Sequence, residues 1–113
     1  MRTPLRLLLL IIVQAFAAMP IHAESVFVKY RGEVNLAPFE CTAVAASSVV
    51  RRVCYDRRER YMIINLSGTY YHYCEIDNGT VRGLLAADSK GRFFNSEIKG
   101  RFDCRVNRVP PYG

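Results

Sequence analysis

Apolar and polar positions alternate with a period of two through three neighbouring stretches of the chain. In "VVRRVCYD" (49–56), Val53 and Tyr55 fall on one side while Arg52 and Cys54 fall on the other. In "YMIINLS" (61–67), Met62, Ile64 and Leu66 oppose Ile63 and Asn65. In "YYHYCEI" (70–76), Tyr71 and Tyr73 oppose Tyr70, His72 and Cys74. That period belongs to strands, whose successive side chains point to opposite faces. The connections are short and polar: "DRRER" (56–60), then Ser67-Gly68-Thr69, where Gly68 is free to take a positive φ. Three such strands form an antiparallel meander. Upstream, "ECTAVA" (40–45) offers a fourth strand that turns at Ala46, Ser47 and Ser48. Residues 24–38 open with "SVFVKY" and then carry Gly32, Asn35 and Pro38. They read as a lead-in, either a short edge strand or a poorly ordered segment.

The period changes after residue 76. Asp77 or Asn78 is suited to cap a helix, and Val81, Leu84 and Leu85 recur at helical spacing. Ser89-Lys90-Gly91 is expected to end this helix, with Gly91 as a left-handed cap. Phe93, Phe94 and Ile98 then predict a second short helix that stops near Gly100. Strands followed by helices give an α+β fold, a small antiparallel meander of three or four strands with two short helices on one face.

The amino terminus sets the expected compartment. Arg2 and Arg6 precede an apolar run from Leu7, and Ala15, Ala17, Ala18 and Ala23 follow it, the layout of a secretory signal peptide. The stretch from Leu7 to Ala18 covers 12 residues, short of the ~20 needed to span a membrane. Cleavage after Ala23 is the favoured reading, and cleavage after Ala17 is the alternative. The expected partition is signal peptide 1–23, lead-in 24–38, folded domain 39–105 and tail 106–113. A periplasmic or secreted protein with no permanent membrane span follows.

Four cysteines, Cys41, Cys54, Cys74 and Cys104, remain in the mature chain. An even number in a short exported chain reads as two disulfides. Their gaps of 13, 20 and 30 positions contain no C-x-x-C pair to grip zinc, so no metal and no other cofactor is expected. Four cysteines allow three pairings. A hairpin about Ser47 sets Cys41 opposite Cys54 and leaves Cys74 for Cys104. In a simple meander Cys54 and Cys74 stand two strand spacings apart, roughly 9.6 Å, beyond the ~7 Å reach of a disulfide. A permuted strand order removes that argument.

Without Arg2 and Arg6, fourteen bases face ten acids, a net +4. Seven arginines, at 51, 52, 57, 58, 60, 82 and 92, dominate this balance. A basic surface attracts nucleic acid, anionic lipid, acidic polysaccharide or protein by one long-range field. It is equally a solvated face that keeps a protein soluble. Tyr71 and Tyr73 have the same double reading. On the side of Met62 and Ile64 they are core, with hydroxyls at the rim; exposed, they stack bases while Arg51, Arg52 and Arg82 hold phosphates.

Catalytic signals are sparse. His72 is the histidine left after cleavage, and Ser47, Ser67, Ser89 and Asp88 are the groups available to complete a triad. No nucleophile elbow accompanies them, and thiol catalysis lacks its C-x-x-C. "NLS" (65–67) and "NGT" (78–80) match the glycosylation pattern, accidental matches if the source is bacterial, and Asn78-Gly79 reads better as turn chemistry.

The order of these motifs resembles the KTSC domain, a small domain named from the C-terminal region of some lysyl-tRNA synthetases and also found alone in bacterial proteins. The matching features are Tyr55-Asp56, the Tyr71-x-Tyr73 pair, Ala87-x-Ser89-x-Gly91, Phe94-Asn95 and Ile98, spread over about Val49 to Phe102. The family usually carries Val-Pro where this chain has Ile76-Asp77. The resemblance implies an α+β domain of unassigned role for which RNA binding is a suggestion. Together with export, it leads to the expectation of a non-enzymatic binding module whose partner is an anionic envelope component or protein, with nucleic acid as the alternative.

Overall fold

In the computed structural model, which describes residues 24–112, the alternating stretches form strands β4 (Val50–Asp56), β5 (Tyr61–Leu66) and β6 (Thr69–Cys74). Their antiparallel register sets Cys54 across from Ile63 and Ile63 across from His72. Ser67 and Gly68 join β5 to β6 with φ of 52° and 102°. Two successive positive values make the primed two-residue turn that matches strand twist. The expected signal peptide lies outside the described residues.

The sheet is larger than the predicted meander, and it is mixed. Its order is β2-β1-β6-β5-β4-β3, with β1 (Ser25–Val28), β2 (Gly32–Asn35) and β3 (Glu40–Ala43). The lead-in is thus a hairpin whose first strand runs parallel to β6 at Val28 and Tyr70. This corrects both the strand count and the all-antiparallel topology. The pairing is non-local, and four-residue strands leave little periodicity to read.

Helix α1 (Asn78–Ala86) starts where Asp77 accepts a 3.0 Å hydrogen bond from the Thr80 N–H. It ends earlier than expected. Ser89 caps a new helix, α2 (Lys90–Phe93), and Gly91 is one of its interior residues. A π-helical turn (Phe94–Ile98) continues it, and Gly100, with φ of 81°, is the glycine that takes the left-handed position assigned to Gly91.

Both helices cover one face of the sheet. Val50, Val53, Met62 and Ile64 pack there against Val81, Leu84, Phe94 and Ile98. Val50 and Val53 share that face because the ladder slips between Val50 and Arg52, a bulge that restores the phase. Among the described residues, the second face has no helix. It gathers Val28, Val34, Tyr61 and Ile63 under the hairpin and the chain end. The predicted tail also belongs to this layer: Pro110 is buried, and the Tyr112 hydroxyl donates to Asp56 at 2.6 Å. Both disulfides, Cys41–Cys54 (S–S 2.08 Å) and Cys74–Cys104 (2.11 Å), lie in this thinner layer. Covalent closure there supplements a core that few apolar residues fill.

Candidate functional site: a cleft at the edge of β6

Strand β1 accompanies β6 for only part of its length. The Lys29 N–H donates to the Tyr70 carbonyl at 2.8 Å, and the chain then turns away. Four residues on, the Cys74 N–H donates to the Phe102 carbonyl at 2.8 Å. Between these two contacts the edge of β6 opens into a cleft of about 470 Å³.

Three tyrosines shape it. Tyr71 and Tyr73 stand opposite Ile64 and Met62 in the ladder, so their inner sides belong to the helix-covered core. Tyr73 meets Phe94 edge to face at 5.6 Å, and burial pushes its hydroxyl pKa up. Both are half-buried and line the cleft. Tyr30, in the β1–β2 turn, is 82% exposed at the mouth, with φ of 71°. A bulky residue in that conformation is unusual and strained. Lys29 bridges the rings, its Nζ lying 5.4 Å from the Tyr30 centroid and 5.8 Å from that of Tyr71. Those distances suit cation–π attraction.

The rest of the cleft is largely polar. Arg101 and Arg105 line it, both exposed. Arg105 holds Asp103 through a 2.7 Å ion pair, which brings that carboxyl down to about 2. Arg101 has no carboxylate partner among the described residues. His72 lines the floor, and its Nδ1 is 2.8 Å from the Tyr61 hydroxyl. Burial, reinforced by the charge of Arg31, holds the imidazole pKa below 6.5, and Asp103 opposes them. A neutral ring that accepts at Nδ1 keeps its Nε2–H as a donor. Arg31 itself lies against two rings, 5.2 Å from the centroids of both Tyr61 and Tyr112.

The other residues considered for binding do not converge here. Arg52 turns to the second face, where it grips Glu24 with bonds of 2.7 and 2.8 Å and reaches the Tyr70 hydroxyl at 3.2 Å. Arg82 lines a separate cleft beside Arg57, Arg58, Asp56 and Glu40, where charge is mixed. Arg51 is exposed on β4. The triad components are likewise apart. Ser47, Ser89 and Asp88 share a different cleft from His72. Ser47 Oγ accepts from the Val50 N–H at 3.0 Å, and Ser89 Oγ accepts from the Arg92 N–H at 3.3 Å, so both serve as backbone caps. Among the described residues, His72, Cys74 and Cys104 bring metal-ligand atom types within 4.8 Å of one another. Their two sulfurs are bonded to each other, which removes the thiolates that metals need.

Comparison with known proteins decides the lineage. The model of the KTSC domain matches residues 46–102. The chain belongs to the KTSC domain family. A KTSC domain protein from Yersinia pestis has a crystal structure similar to this one, with a TM-score of 0.53 and 30% sequence identity; the match covers 57% of this chain and 92% of that one. A protein from Tsukamurella paurometabola is 38% identical over 58 residues, which is 50% of this chain and 85% of the relative.

The boundaries of the KTSC match bear on the cleft. Cys54 and Cys74 lie inside it, while Cys41 and Cys104 lie outside, so each disulfide ties the KTSC core to a flanking addition. The cleft straddles the same seam. Tyr71, His72, Tyr73 and Arg101 come from the KTSC core, and Tyr30, Asp103 and Arg105 come from the additions. Sequence reading named the first two tyrosines and His72. It missed Tyr30, Lys29, Arg101 and Arg105, although "VKYRG" holds a clue: an aromatic residue in a turn beside glycine.

Proposed function

We propose that this KTSC protein is an exported, non-catalytic binding module that takes an acidic partner of the bacterial envelope in the β6 cleft. The observation carrying this reading is the pairing of Tyr30 with Lys29 and Arg101 around an open cleft. An 82%-exposed tyrosine held at positive φ costs stability and contributes nothing to the core, which points to use. Two disulfides fit an oxidising space, and a leader that is removed on export accounts for residues 1–23. Nucleic acid is the weaker reading. The edge contact of Tyr73 with Phe94 and the Lys29 ammonium against Tyr71 restrict the faces on which successive bases stack.

Binding to poly-L-glutamate at rising salt tests the reading. The Lys29→Ala/Arg101→Ala variant should bind about tenfold more weakly than wild type, while Arg51→Ala/Arg82→Ala should stay within about twofold. The wild-type affinity should fall as salt rises. Equal losses in both variants would place binding on the general basic surface and reject the cleft.

A further inference from the structure

The free edge of β6 carries more than charge. Residues of an antiparallel strand alternate between groups that bond the neighbour on one side and groups that point to the other. Tyr70 bonds β1 through its carbonyl, and Cys74 bonds Phe102 through its N–H. Both therefore point away from β5. His72 lies midway between them, so its N–H and carbonyl also point away from β5 and into the cleft. Among the described residues, neither group has a backbone partner. On either side the edge is closed, by the departing β1 chain and by Phe102. What remains free between them is the N–H and carbonyl of one residue, His72.

We infer that this opening binds an extended peptide segment ending in an acidic group, its main chain pairing with His72 as a short strand added to β6. The inference rests on the cleft reading above and narrows the partner to a polypeptide. Strand addition needs an unpaired donor and acceptor on one edge and pockets for alternate side chains; His72 provides the pair. Side chains of an added strand alternate in the same way as those of β6. One would face Tyr71 and Tyr73 on their side of the sheet. Its neighbour would face His72 and the Cys74–Cys104 bridge, both of which line or flank the opposite side. Lys29, against the rings of Tyr30 and Tyr71, and Arg101, in the lining of the cleft, supply the charge that an acidic side chain or terminal carboxylate complements. The narrow gap explains selectivity of another kind. A long edge strand invites indiscriminate pairing between chains, whereas a gap flanked by bonded residues admits one segment and no sheet growth.

The test uses the mature chain labelled with ¹⁵N and an N-acetylated pentapeptide, Val-Thr-Val-Thr-Glu, with a free carboxylate. Its counterpart N-methylated at each amide has the same charge but no main-chain N–H donors. The pentapeptide should slow hydrogen exchange of the His72 amide at least tenfold at saturation and shift its resonance. The N-methylated peptide should bind about tenfold more weakly, the loss expected from its missing main-chain bonds, and leave His72 exchange unchanged. If both peptides bind equally and His72 exchange is unmoved, strand pairing is overturned while the charged cleft stands. A single-stranded oligonucleotide that protects His72 where the pentapeptide does not would overturn the polypeptide assignment. Absence of any response at His72, Tyr30 and Tyr71 to the pentapeptide would remove both the pairing and the cleft beneath it.

Discussion

The Tyr61 hydroxyl and His72 Nδ1 meet at 2.8 Å on the face of the sheet opposite Tyr71 and Tyr73. This contact joins the floor of the cleft to the second core layer, where the Tyr61 ring packs edge to face against Phe39 at 6.0 Å and lies 5.5 Å from Tyr112. His72 has its pKa lowered from 6.5, chiefly by burial and then by Arg31. Near that pH the unfolded chain binds more protons than the folded one, so stability rises with pH. Thermal melts should show Tm falling as pH drops through about 6.5 and levelling below the folded-state pKa. In His72→Asn, which cannot titrate, that part of the slope should vanish. An unchanged slope would mean that the imidazole is equally protonated in both states.

Tyr55 supplies a second test of the core. Its ring is buried among the helix-facing residues, and its hydroxyl donates to the Ile76 carbonyl at 2.7 Å, at the point where the chain leaves β6 for α1. Tyr55→Phe keeps the ring and strands a buried acceptor. Chemical denaturation should register a loss of about 1–3 kcal/mol. A change below a few tenths would show that the carbonyl finds water.

The two disulfides differ in leverage. Their sequence separations are 13 for Cys41–Cys54 and 30 for Cys74–Cys104. Closing the longer loop removes more unfolded-chain entropy, so replacing the second pair by alanine should cost about 3–4 kcal/mol and the first about 3 kcal/mol. The Cys74→Ala/Cys104→Ala variant should also lose binding in the cleft, because Asp103 and Arg105 adjoin the lost bridge. Equal binding by that variant would separate the cleft from its staple.

Tyr30 should behave as a residue kept for function. Glycine accepts a φ of 71° without strain, and Tyr30 contributes little burial. Tyr30→Gly should therefore melt no lower than wild type while binding the acidic peptide several-fold more weakly. A variant that is both less stable and fully active would reverse the assignment.

Much of this arrangement was readable in the chain, and the unreadable parts share a cause. Alternation through 49–76 marks β4 to β6 because each residue's face is set by its own position. The Cys41–Cys54 bridge follows from the same local logic, a hairpin with a register. The β1–β2 hairpin does not, since its place in the sheet depends on a single parallel contact between Val28 and Tyr70, over forty positions apart. Gly91 was a reasonable helix stop by residue type. Ser89 prevails because its side chain caps a new helix one residue earlier. The arginines mislead for a geometric reason: Arg51, Arg52 and Arg82 are close in sequence or composition, yet strand alternation and the Glu24 ion pair send them apart. The cleft draws Tyr30, Tyr71 and Arg101 from three segments, and no local pattern announces such a meeting.

The central claim is that the partner contacts the cleft and leaves the rest of the basic surface alone. Ring resonances of the seven tyrosines, observed by ¹H–¹³C spectroscopy during titration with the acidic pentapeptide, test it most directly. Tyr30, Tyr71 and Tyr73 should shift together along one saturable curve, with Tyr55, buried on β4 under the helices, unmoved. Shifts confined to backbone resonances around Arg51 and Arg82, with those three rings silent, would contradict the account.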